Sequence, residues 1–178
     1  TTPFSVVQQL KDLRAEKPYS PEDLLLVDGG GNDLADLAGA YLAASGDAGA
    51  SYNALLGELL SPTEIAAAGS PEAAGAAYMT QLADVLVDAL TSEALSRDAQ
   101  RIVVITAPDV TRTPRFQAVL AGVAMTVTGQ GGDGPAAAAQ IAALVNNWTV
   151  AFNTRITSSF AGNSRVAVVD FYTELNKW

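Results

Sequence analysis

The chain has 178 residues, 49% of them hydrophobic and only 16% charged, which fits a globular domain with a full core and excludes a disordered segment. Its net charge of -9 and pI near 4.3 argue against nucleic acid or an anionic membrane surface as partner, and no apolar run is long enough to span a bilayer. It has no cysteine for disulfides or thiolate metal sites, and no histidine, so a Ser-His or Cys-His nucleophilic system cannot be completed within it.

In chain order, Val6, Val7, Leu10 and Leu13 recur at helical spacing and predict an amphipathic helix over about residues 3–15. Tyr19-Ser20-Pro21 ends it, because the residue before proline is pushed out of the α region. Leu24-Leu25-Leu26-Val27 reads as a buried strand, covered on both faces like one in a parallel sheet between helical layers. Asp28-Gly29-Gly30-Gly31-Asn32-Asp33 follows, with glycines that admit positive φ and close approach. Asn32 and Asp33 are both good N-caps for a helix over residues 34–44, so the plain interpretation of this stretch is a capped strand-to-helix turn. Leu34, Leu37, Tyr41 and Leu42 lie on one side of that helix, and Gly46 and Gly49 end it.

Ser61-Pro62-Thr63-Glu64 has the pattern of a capping box and starts a short helix that runs into Gly69. Ser70-Pro71-Glu72 starts a longer one, with Tyr78, Met79, Leu82, Val85, Leu86, Ala89 and Leu90 on its core stripe. Residues 101–106 form a second apolar strand, ended by Ala107-Pro108-Asp109. Residues 111–116, with Pro114, read as a loop or single turn, and 119–127 fit either a helix end or a short strand. Gly129 to Pro135 has the composition of a flexible loop. A long helix follows, striped by Ile141, Leu144, Val145, Trp148, Phe152 and Ile156, and then a third strand over residues 166–171.

Strands separated by long helical crossovers predict parallel pairing in a three-layer α/β/α domain, a single one over residues 1–178. Ligands in such sheets sit beyond the carboxyl ends of the strands, which here carry residues 29–33, Pro108-Asp109 and Tyr172. Three strands are few for this architecture and leave both edges exposed. The chain also opens at Thr1 without methionine and stops as its third strand hands over, so a missing piece is expected. Gly129-x-Gly131-x-x-Gly134 matches the dinucleotide fingerprint, but a poor strand precedes it and no acidic residue stands about twenty positions on to hold a ribose. A surface loop is the expectation there. Asp28 with Asp33 is a weak signal for Mg²⁺ or Ca²⁺, lacking a further acidic cluster.

An apolar strand followed by Gly30-Gly31-Asn32-Asp33-Leu34 resembles the third conserved block, Gly-x-Asn-Asp, of the SGNH hydrolases, also called GDSL esterases and lipases. Residues 101–108 with Thr113-Pro114 are similar to that family's next strand and proline-bearing loop. Residues 148–156, containing Phe152-Asn153, resemble its helix before the last central strand, and 166–175 the strand and helix start that follow. The likeness covers nearly the whole chain, and its specific part is the Gly-x-Asn-Asp block.

The resemblance implies a flavodoxin-like fold of which this chain is the middle portion. It implies that Asn32 donates its side-chain amide to the oxyanion of an acyl-transfer intermediate, with the Gly30 and Gly31 backbone shaping the loop and Asp33 acting as cap and clamp. The family's nucleophilic serine, in a Gly-Asp-Ser block, and its histidine, in an Asp-x-x-His block, have no counterpart here. Ser158 and Ser159 lack a base and read as helix surface. The expectation is therefore part of a serine esterase or lipase acting on carboxylic esters, without a cofactor. Complementary polypeptide segments would supply the serine and histidine. Residues 40–70 would contribute to an acyl pocket, and the location would be secreted, periplasmic or on a bacterial cell surface. The rival class is a non-catalytic interaction module on the same scaffold.

Overall fold

The computed structural model describes residues 5–177, so the expected helix start at Pro3 lies outside the described residues. The elements are α1 (Val6–Glu16), β1 (Leu25–Asp28), α2 (Gly31–Asp47), α3 (Ala50–Leu56), α4 (Pro62–Ala68), α5 (Pro71–Glu93), β2 (Ile102–Ile105), α6 (Pro114–Gly129), α7 (Gly134–Ser159), β3 (Val166–Val169) and α8 (Phe171–Leu175). Single 3₁₀ turns sit at Leu95–Arg97 and Val110–Arg112. The result is a mostly helical α/β fold around a small parallel sheet of order β1-β2-β3.

Caps written into the sequence start most of these helices. Ser61 and Glu64 form the reciprocal capping box of α4, and the Ser70 hydroxyl accepts from the Ala73 N–H at the start of α5. Thr113 caps α6, and Pro114 takes its first position, where the missing N–H costs nothing. The proline therefore starts a helix. The expected loop or single turn over residues 111–116 holds up to Thr113, as the 3₁₀ turn Val110–Arg112 and the cap, but residues 114–116 and the ambiguous segment 119–127 belong to one continuous helix, α6. The expected flexible loop at Gly129–Pro135 shrinks to a tight turn between α6 and α7, closed by Gly131 at φ +83° and by Asp133, whose carboxylate accepts from the Ala136 N–H.

The core is built on α5 against α7. Met79, Ala83, Leu86 and Leu90 on α5 and Val145, Trp148, Phe152 and Ile156 on α7 are buried. Gly75 lets the helices approach, since a Cβ there would lie 2.5 Å from the Trp148 ring. Trp148 Nε1 donates to the Glu72 carbonyl at 2.8 Å, so the indole loses no hydrogen bond by being buried.

The two faces of the sheet differ. Register aligns Leu25 with Ile102 and Val166, and Val27 with Val104 and Val168; these side chains turn toward the helices, with Val27 3% and Val104 1% exposed. The alternate rows are Leu26, Val103 and Ala167, then Asp28, Ile105 and Val169. Leu26 is 62% and Val169 43% exposed, and no described element covers this face. The expectation of a strand buried on both faces thus fails at Leu26. The chain order explains why: right-handed crossovers that step the same way along a sheet lay their helices on the same side.

The helices also rise past the sheet. Leu86 lies against Gly29 at the strand end, whereas Glu72, at the other end of α5, bonds Tyr41 of α2. Between those residues α5 rises about 21 Å at 1.5 Å per residue. The first half of α5, together with α2, α3 and α4, thus stands beyond the carboxyl edge of the strands.

Candidate functional site

The loop at the end of β1 is set by two glycines with different duties. Gly30 holds φ +89° and is the N-cap of α2, with no side-chain cap bond. A Cβ on it would meet the Phe152 ring at 2.7 Å, so this position needs glycine for both its backbone angle and the aromatic ring on it. Gly31 has no heavy atom within 4 Å of where its Cβ would be, and leaves open space at the helix start. Because the left-handed glycine turns the chain early, α2 begins at Gly31. Asn32 and Asp33 are accordingly the second and third residues of the helix, and neither is its cap.

Asn32 is exposed, and its side chain makes no hydrogen bond among the described residues. The first intrahelical bond is Leu34 N–H to the Gly30 carbonyl, at 3.0 Å, so the N–H groups of Gly31 and Asn32 have no acceptor within the helix. Asp33 is half-buried; burial raises its carboxyl pKa, its own backbone N–H opposes this, and the charge of Asp36 adds to it. Tyr78 stands near it, its hydroxyl pushed up to about 12 by burial first and by the Asp33 charge second. A neutral amide and two N–H donors at the positive end of a helix can stabilise developing negative charge. They offer no nucleophile and no base.

The other strand exits are clamped by side chains to which the sequence assigned no such role. Asn153 Oδ1 accepts from the Ala107 N–H at 2.8 Å while its Nδ2 donates to the Ala107 carbonyl at 2.9 Å, so one side chain replaces a missing strand neighbour. Buried Thr106 accepts the Phe171 N–H at 2.9 Å, tying the β2 exit to α8. Asp109, also buried, accepts from the N–H and the hydroxyl of Thr111. Phe152 on Gly30 and Asn153 on Ala107 together lay α7 across the ends of β1 and β2. A polar residue beside an apolar helical stripe, as Asn153 is, was the only sequence signal for this. Ser158 is exposed and donates to the Arg155 carbonyl, as helix surface does.

Two clefts stand out. One of about 510 Å³ lies between α7 and the β3 exit, lined by Thr106, Asn153, Thr157, Asp170 and Tyr172 among others. The second, of about 660 Å³, lies between the far half of α2, α3, α4 and the start of α5. Gly30, Gly31 and Asn32 line neither. Their loop belongs to β1, an edge strand that among the described residues pairs with β2 alone.

Among the described residues no three His, Cys, Asp or Glu side chains are grouped to hold a metal ion, and no helix is long and apolar enough to cross a membrane. The glycines at 129, 131 and 134 sit between two helices rather than after a strand, which removes the dinucleotide fingerprint. A Cβ on Gly134 would lie 2.0 Å from the Ala124 carbonyl oxygen, so this glycine serves the packing of α7 on α6. Compared with models of known families, with curated proteins and with solved structures, the chain finds no match.

Proposed function

We propose that this chain is the central part of an SGNH-type serine esterase or lipase, in which Asn32 and the first N–H groups of α2 stabilise the oxyanion of acyl transfer. The serine and histidine come from complementary polypeptide segments that also cover the second face of the sheet and the free edge of β1. In the reaction the serine oxygen attacks the ester carbonyl carbon as histidine takes its proton. The carbonyl oxygen becomes the oxyanion, held by Asn32. Collapse expels the alkoxide, which takes the proton from the histidinium, and water then hydrolyses the acyl-serine by the same steps. The proposal includes export to a periplasmic, secreted or surface location, by family resemblance.

One observation carries this: a parallel sheet whose second face is largely apolar and is covered by no described element, with the glycine loop on one of its two edge strands. Parallel sheets are ordinarily buried on both sides. In the flavodoxin-like order 2-1-3-4-5, three strands step the same way, and the first of them borders the switch point where ligands bind. A three-layer domain completed by further segments is consistent with that pattern.

The chain alone is expected to show no turnover of a simple aryl ester. Completed with segments bearing Gly-Asp-Ser and Asp-x-x-His, it should turn the ester over, and Asn32→Ala should then lower kcat at least about ten-fold while circular dichroism stays unchanged. Unchanged turnover in that variant removes Asn32 from the site, and a completed protein without esterase activity defeats the proposal.

A further inference from the structure

Phe152 and Asn153 are consecutive on α7 and reach two different strand exits. The tip of the Phe152 ring faces Gly30: a Cβ there would meet Cζ, Cε1 and Cε2 at 2.7, 3.0 and 3.1 Å. The Asn153 amide grips Ala107, two residues past β2, accepting its N–H at 2.8 Å and donating to its carbonyl at 2.9 Å. β1 and β2 are hydrogen-bonded neighbours, so one turn of one helix holds both exits at once.

What the β1 loop lacks gives this contact its weight. Among the described residues no side chain hydrogen-bonds residues 28–32, and the Gly30 cap has no side-chain bond. Beyond the strand ladder and the first helical bond, the loop rests on apolar contacts, Gly29 on Val6 and Leu86 and Gly30 on Phe152. A gap of about 0.5–1 Å forfeits a quarter to a half of such a contact, so the turn is only as firm as the ring beneath it.

The ring in turn moves with α7. An amide matched to both the N–H and the C=O of one residue fixes the helix along and around its axis, because a small slide or rotation breaks one of the two bonds. We propose that Phe152 and Asn153 are positioning residues that hold the Gly30 turn, and through it Asn32, in place. The ring supports the turn, and the amide keeps the ring under it. Their effect on catalysis rests on the role proposed above for Asn32, where a misplacement of about 1 Å costs on the order of a hundred-fold in rate. Their hold on the turn is measurable in the chain alone.

The first readout is proton NMR of the full chain, following the Gly30 α-protons, which the ring current of Phe152 displaces from ordinary glycine positions. Phe152→Leu should return them toward those positions. Asn153→Ala leaves the ring in the chain and should still move the Gly30 signals away from the parent values, while the Gly31 and Asn32 amides gain ps–ns motion. Asn147→Ala, at an exposed position on α7, should leave the Gly30 signals where they were. Asn153 is only part-buried, so N153A keeps the test decisive if F152L does not fold. Gly30 signals unmoved by Asn153→Ala would make that side chain a local clamp of β2 and overturn the proposal. In the completed protein each variant should lower kcat at least about ten-fold at unchanged KM, and the double variant should lose no more than the worse single one. A raised KM at unchanged kcat, or losses that add, also overturns it. A completed protein that hydrolyses no ester, in a chain whose Gly30 signals move as described, keeps the brace and rejects the hydrolase.

Discussion

The two faces of the sheet are made of the same residue types and live in different solvents. Val27, Ile102 and Val104 point into the helices, while Leu26, Val103, Ile105 and Val169, one step along the same strands, point to a face that no described element covers. A side chain's contribution to stability depends on what covers it, so equal hydrophobicity does not mean equal energy here. The contrast also says what kind of surface the open face is. Surfaces that stay exposed in a finished protein carry polar residues along alternate strand positions. Those alternate positions are apolar here, apart from Asp28, and read as an interface.

A charge placed on each face should separate the two most widely. Val104→Asp buries a carboxylate against α5 and α7 and should cost more than about 4 kcal/mol or prevent folding, as read from urea denaturation. Leu26→Asp, on the next strand but facing outward, should stay within about 0.5 kcal/mol of the parent. The glycine pair gives a smaller contrast at the site itself. Gly30→Ala forces a Cβ into the Phe152 ring and a positive φ onto alanine, an expected loss of about 1–3 kcal/mol. Gly31→Ala meets only open space and should stay within about 0.5 kcal/mol.

The smallest effect sharpens the electrostatics of the same loop. Burial raises the Asp33 carboxyl pKa above its ordinary 3.8, so the folded protein holds that proton more tightly than the unfolded chain does. Stability from this group is full below the ordinary value and falls as pH rises through the raised one. Asp33→Asn should therefore raise the Tm at pH 7 and give no such gain at pH 3. An equal gain at both pH values would mean that burial of the charge is not the cause.

What the sequence made legible was local. The Ser61 and Ser70 caps and the strands around Val27, Val104 and Val168 follow from neighbours a few residues apart, and the parallel pairing follows from the order of strands and long helical crossovers. Pro114 was misleading because proline ends one element or begins another, and only the Thr113 hydroxyl bond to the Phe116 N–H decides which. Which face of Leu24–Val27 is covered was hidden, since four apolar residues in a row erase the alternation that would tell. The clamp made by Asn153 was missed for a different reason: its partner Ala107 is 46 residues away, and no spacing rule connects them. The larger cleft was blurred by the chain's general richness in alanine, where its lining residues Ala44, Ala48 and Ala66 look like any others. The Gly30-Gly31-Asn32 loop was found, but its helix start and the duty of Gly30 toward Phe152 came only with the fold.

The open face is what the proposed completion by other segments rests on, and single cysteines test it directly because the native chain has none. Leu26→Cys and Val169→Cys should react with a thiol reagent at close to the rate of an unfolded peptide. Val27→Cys and Val104→Cys should react at least about a hundred-fold more slowly, through rare opening of the core. Equal protection on both faces would contradict the account, for it would mean that the sheet is already covered and needs no partner to complete it.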